Sequence, residues 1–102
     1  MIERIKSEDD LIFGIYENPD HNGHSTGFGD TNYRYVAGVC GLDRFSYSML
    51  TEVKNRPTFD DEDWLVLIAS DHGGTSNRHG GQSVQEKTTF LALSKPIGTF
   101  NL

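Results

Sequence analysis

Two apolar runs stand out along the chain. Asp10-Leu11-Ile12-Phe13-Gly14-Ile15-Tyr16 is short and nearly continuous, and Trp64-Leu65-Val66-Leu67-Ile68-Ala69-Ser70 is the stronger of the two. Unbroken runs of this length suit strands covered on both faces, as in a parallel sheet. Asn18 and Pro19 end the first run, and residues 18–31 read as a loop rich in Asn, Asp, Gly and His. Asp30 or Thr31 offers an N-cap for a helix over about 32–55. There Tyr35, Val39, Leu42, Met49 and Val53 recur at spacings of three and four, with Ser46 in the gap of the stripe. Gly38 and Gly41 weaken that helix by about 1 kcal/mol each relative to Ala, and would let it pack closely on a sheet. Asn55-Arg56-Pro57 stops it.

The segment from Thr88 to Leu93 reads as a third strand, closed by Pro96 and Gly98. The fold class expected is α/β: a βαβ unit with two parallel strands, right-handed in its crossover, plus one further strand. In that arrangement both parallel strands end on the same edge of the sheet. Ligands of open α/β sheets bind outside those carboxyl ends, so the loops after the two strands are where chemistry is sought.

Those loops hold all four histidines of the chain. Asp20-His21-Asn22-Gly23-His24 follows the first strand, Asp71-His72-Gly73-Gly74 the second, and Arg78-His79-Gly80-Gly81 comes shortly after. Imidazole nitrogen and carboxylate oxygen are the ligand pair of catalytic zinc, which takes three protein ligands and keeps a position open. Glycines beside the ligands let the backbone turn tightly and approach an ion or substrate. The competing reading, for any one of these residues, is a solvated loop histidine.

Charge narrows the partners. Fifteen acidic against nine basic residues give a formal charge of −6, which disfavours a nucleic-acid polymer and suits divalent cations. Cys40 is the single cysteine, so an internal disulfide and a multi-cysteine zinc site are excluded. It reads as a small buried hydrophobe within the helix. No apolar stretch approaches the length of a membrane span, and the first residues do not form a signal peptide. Hydrophobic residues make up 35% of the chain, enough for one modest core.

The order Asp20-x-x-Gly23-His24, helix, apolar strand ending Ser70-Asp71-His72-Gly73-Gly74, then His79-Gly80-Gly81 resembles the C-terminal part of the alkaline phosphatase superfamily. The nearest branch is that of the type I phosphodiesterases and nucleotide pyrophosphatases, and the similarity runs from about Asp10 to Leu93. The resemblance implies a partial alkaline-phosphatase-like sheet and two zinc ions. One ion would be held by Asp20, His24 and His79, the other by Asp71 and His72 with further ligands from upstream. The activity implied is phosphoester hydrolysis, with a small phosphoester as substrate.

The upstream aspartate and the Thr or Ser nucleophile of that family have no counterpart before Asp20. Residues 1–102 are therefore expected to be a single domain, or a fragment of a larger metal-dependent hydrolase domain, carrying no catalytic nucleophile. The alternative is a non-catalytic module that binds metal or oligomerises, since a partial sheet leaves an unpaired edge that invites a second copy. A sulfatase or phosphonate-cleaving relative fits the paired histidines less well.

The remaining candidates are weaker. Arg78 suits a substrate phosphate by its bidentate geometry, and solvation serves it equally. His21 reads as exposed or supporting rather than ligating. Asp43 reads as a solvated helix position, and Thr75 and Ser76 as loop hydroxyls rather than nucleophiles. Asp60-Asp61-Glu62-Asp63 lacks the spacing of a calcium loop and reads as a solvated turn. Trp64 reads as the anchor of a strand start.

Overall fold

The computed structural model describes residues 1–98. Its elements are α1 (Ile2–Ile5), α2 (Asn18–Thr26), α3 (Tyr33–Lys54), a 3-10 turn at Phe59–Asp61, β1 (Leu67–Ala69), α4 (Val84–Lys87) and β2 (Leu91–Leu93). The chain is mixed α/β, with a helical layer dominated by α2 and α3 and a two-stranded sheet.

The long helix forms where the apolar spacing places it, within a residue at either end. Its N-cap is Asn32 rather than Asp30 or Thr31. The Asn32 side chain accepts from the Arg34 and Tyr35 amides at 3.1 and 3.3 Å, which satisfies two of the free donors of the first turn.

Residues 18–26 are helical, not a loop. Pro19 lies in the first turn, where its missing N–H costs nothing, and Asp20 complements the positive end of the helix. Its many short polar residues hide the helix from apolar periodicity. This correction matters, because a helix brings Asp20 and His24 onto one face. Helix α2 packs on α3. Gly38 serves this contact rather than a sheet: a Cβ there would lie 2.8 Å from Asn22 Nδ2 and 3.2 Å from Pro19 Cα.

Strands β1 and β2 pair antiparallel, with Leu67 opposite Leu93, Ile68 opposite Ala92 and Ala69 opposite Leu91. Serine hydroxyls extend the ladder at both ends. The Val66 amide donates to Ser94 Oγ at 2.9 Å and the Phe90 amide to Ser70 Oγ at 3.2 Å. Both strands are shorter than the apolar runs that announce them. The run at 10–16 forms no ladder among the described residues. Leu11, Phe13 and Ile15 are 86%, 84% and 77% exposed. An apolar run gives a segment the wish to be covered, but a strand needs a neighbour's backbone, and β1 takes β2 instead. Cys40 is exposed rather than buried.

A polar clamp ties the N-terminal end to the middle of the chain. Arg56 makes a bidentate pair with Glu62, Nε to Oε2 at 2.8 Å and Nη2 to Oε1 at 2.6 Å. Its Nη1 donates to the carbonyls of Ile5 and Ser7. Thr58 Oγ1 and Trp64 Nε1 also donate to the Glu62 carboxylate, at 2.6 and 2.7 Å. The guanidinium lies 5.3 Å from the Trp64 ring centre. Glu62 is thus a structural acceptor rather than a solvated member of an acidic turn. Beside the clamp, α1 packs on α3, and Ile5 and Val53 are the buried apolar residues.

The Arg56 guanidinium, with the Thr58 and Trp64 donors, holds the Glu62 carboxyl down at about 2. A carboxyl lowered by folding stabilises the fold fully above its unfolded value of 4.5, and that contribution is lost as the pH falls from there through about 2. Glu62→Gln is expected to lower stability at pH 7 and to flatten the loss between pH 5 and 2. Urea unfolding at a series of pH values checks this, and equal slopes for the two proteins would contradict it.

Candidate metal centre

Asp20 and His24 project from one face of α2, four residues apart, with His24 Nε2 3.5 Å from Asp20 Oδ1. The segment after β1 reaches the same point. His79 Nε2 lies 3.4 Å and His72 Nε2 3.9 Å from that same oxygen. The His72 and His79 rings stack at 3.6 Å, and the His24 and His79 ring centres are 4.8 Å apart. The ligand atoms of Asp20, His24 and His79 all lie within 4.8 Å of one another.

The electrostatics of this cluster are unusual. Asp20 Oδ1 is buried and has no hydrogen-bond partner. His24 Nδ1 faces the Asn77 carbonyl at 3.0 Å and His72 Nδ1 faces the Gly73 carbonyl at 2.8 Å. A carbonyl only accepts, so the ring proton belongs on Nδ1 in both residues. In the neutral imidazoles, Nε2 then presents a lone pair toward the carboxylate oxygen. A positive charge placed among them turns that repulsion into attraction. A single proton serves one imidazole, whereas a divalent cation serves several at once. Two zinc bonds of 2.0–2.1 Å at a tetrahedral angle set ligand atoms about 3.3 Å apart, close to the two shortest separations here. The carbonyls on Nδ1 are also the partners that orient metal-binding histidines.

Local structure explains how these side chains arrive. Thr75 and Arg78 exchange backbone hydrogen bonds at 3.0 and 3.1 Å, making a tight turn with Ser76 at φ +50°. The tip of this turn reaches α2: Asn77 receives His24, and the Ser76 carbonyl accepts the Phe28 amide at 2.5 Å. The other end of the segment is held by α4. Ser83 and Glu86 form a reciprocal capping box, and Glu86 also accepts the Gly81 amide at 3.0 Å. The Glu86 backbone carbonyl accepts the Gly73 amide at 2.9 Å. One residue therefore holds both Gly73, next to His72, and Gly81, two residues after His79. The Ser83 hydroxyl, followed by the Gly81 amide, holds the Glu86 carboxyl below the usual carboxylate range.

Of the residues singled out from the sequence, Asp20, His24, His72 and His79 come together. Asp71 stays at the rim. Its side chain is 90% exposed, 3.7 Å from His72 Nε2, and its Oδ1 accepts the His72 amide at 3.1 Å. His21 is exposed and outside the cluster, and Arg78 is exposed, near enough to Glu86 to help lower its carboxyl. The sequence reading missed two supports. Ser83-x-x-Glu86 was a legible helix-start signature, whereas nothing in the sequence marks Phe28.

Gly73 leaves no room for a side chain, since a Cβ would lie 1.9 Å from the Gln85 carbonyl oxygen. Gly73→Ala is expected to cost about 1–3 kcal/mol, as backbone must move to accept it. Chemical denaturation checks this, and unchanged stability would contradict the close approach. Compared with family models, curated proteins and solved structures, the chain matches none of them.

Proposed function

We propose that this stretch of chain is the zinc-holding segment of a metal-dependent phosphoester hydrolase. The observation that carries the reading is the buried Asp20 Oδ1, unpartnered among three imidazoles, two of which turn lone pairs toward it. Asp20, His24 and His79 would hold one ion. Asp71 and His72 would contribute half of a second, as the resemblance to the alkaline phosphatase superfamily implies. Bound zinc supplies Lewis acidity toward phosphoryl oxygens. The chain's own residues orient it: the Asn77 and Gly73 carbonyls fix two imidazoles, and exposed Arg78 stands beside His79 with a guanidinium suited to a phosphate. The reading assigns no nucleophile to these residues. It also takes 10–16 as a strand parallel to β1, with Leu11, Phe13 and Ile15 as side chains that a larger sheet would cover.

The second reading, a non-catalytic metal-binding or oligomerising module, draws on shape. The radius of gyration is 16.2 Å, against about 13 Å for a compact chain of this length. Sedimentation with a stability measurement tests the uncovered surface: an oligomer or a chain of low stability is expected, and a stable monomer at micromolar concentration would count against both a fragment of a larger sheet and an oligomerising module.

The metal reading is tested by zinc titration of the purified chain. It predicts saturable binding that His24→Ala and His79→Ala each weaken at least tenfold. Unchanged zinc content in both variants would defeat it. The hydrolase reading predicts that inorganic phosphate binds the zinc-loaded chain and not the metal-free one, and that Arg78→Ala weakens this binding. Phosphate binding indifferent to zinc would count against it.

A further inference from the structure

We propose that Phe28 is a positioning residue for the ion site, its ring setting the separation and tilt of the His24 and His79 imidazoles. The inference rests on the metal reading above for its purpose, but its geometry stands independently. Phe28 follows the end of α2, where Gly27 at φ +107° turns the chain back, and its amide is tied to the tip of the 75–78 turn. The ring then enters the gap between the two ligand-bearing segments. On one side lies Gly23, the residue before His24; on the other lies Gly74, two residues after His72. A Cβ at either would fall 2.3 or 2.5 Å from a ring carbon, so both glycines are required for the ring to fit.

From that slot Phe28 meets the ligands edge to face. Its centre is 5.6 Å from that of His24 at 77°, and 6.3 Å from that of His79 at 87°. Tyr35 of α3 backs it at 5.5 Å. Such contacts favour one relative orientation of the rings. His24 already has the Asn77 carbonyl to fix its plane. The plane of His79 is set by the His72 stack on one side and Phe28 on the other. A side chain of similar bulk without a flat ring, such as Leu, fills the slot but leaves that plane free.

The test uses the full chain with Phe28→Leu and, separately, Gly74→Ala, which displaces the ring without changing it. In the metal-free proteins, a cross-relaxation signal between the His24 and His79 ring protons reports their approach. It is expected in the parent and lost in both variants. With cobalt as probe, the visible absorption band is expected to change in both, and zinc affinity to fall by about tenfold or more, the range for groups that orient metal ligands. Should Gly74→Ala fail to fold, Phe28→Leu decides alone. Retention of the ring-to-ring signal in Phe28→Leu would overturn the inference. Loss of that signal in a chain whose parent takes up neither cobalt nor zinc would uphold the positioning role and defeat the metal reading instead.

Discussion

A carboxylate oxygen removed from water must find a donor or a cation, and Asp20 Oδ1 has no donor. The side chain as a whole is partly exposed, and it is this one oxygen that lies away from water. The surrounding atoms make the problem sharper, since the neutral imidazoles of His24 and His72 place their one proton toward carbonyls on the far side of each ring. On the proposed reading, the site is built to receive a positive charge. A protein with an excess of six negative charges already attracts cations to its surface, and on the proposed reading this cluster would give one of them a defined place.

Three pieces of local structure converge to build it. Helix α2 pairs Asp20 with His24, the 75–78 turn docks its tip on that helix, and Glu86 of α4 accepts from Gly73, next to His72, and from Gly81, two residues after His79. The sheet contributes mainly by delivering the chain to this point, as β1 ends one residue before Ser70 and Asp71 follows. The Arg56–Glu62 clamp lies in a different region and stabilises the N-terminal segment through a bidentate ion pair. Its chemistry is that of a structural knot rather than a site.

The histidines were legible because their residue type and the neighbouring glycines announce them wherever they fall. So was α3, whose apolar stripe is long enough for periodicity to speak. Helix α2 was not, because Asn18-Pro19-Asp20-His21-Asn22-Gly23-His24 carries no apolar stripe, and its helicity comes from Pro19, Asp20 and the α3 surface it rests on. The segment 10–16 has the composition of a strand but no ladder among the described residues, since pairing depends on a partner that local sequence does not specify. Phe28 was invisible for a related reason, since its role lies in two glycines brought to it from distant positions. The placement of Asp71 at the rim, with His72 turned toward Asp20, likewise depends on the Gly73 carbonyl capturing the ring.

The molecule is thin and leaves apolar side chains uncovered. Its thinnest dimension is 19 Å, roughly the thickness of one helical layer on one sheet given ~10 Å per layer, and Leu11, Phe13 and Ile15 face outward. The Asp20–histidine cluster does not depend on that surface. The proposal that it holds zinc is most directly tested by X-ray absorption at the zinc edge of the loaded chain. The account predicts a first shell of nitrogen and oxygen at about 2.0–2.1 Å, with the outer-ring scattering of two imidazoles. A shell of oxygen alone, without imidazole scattering, would contradict it.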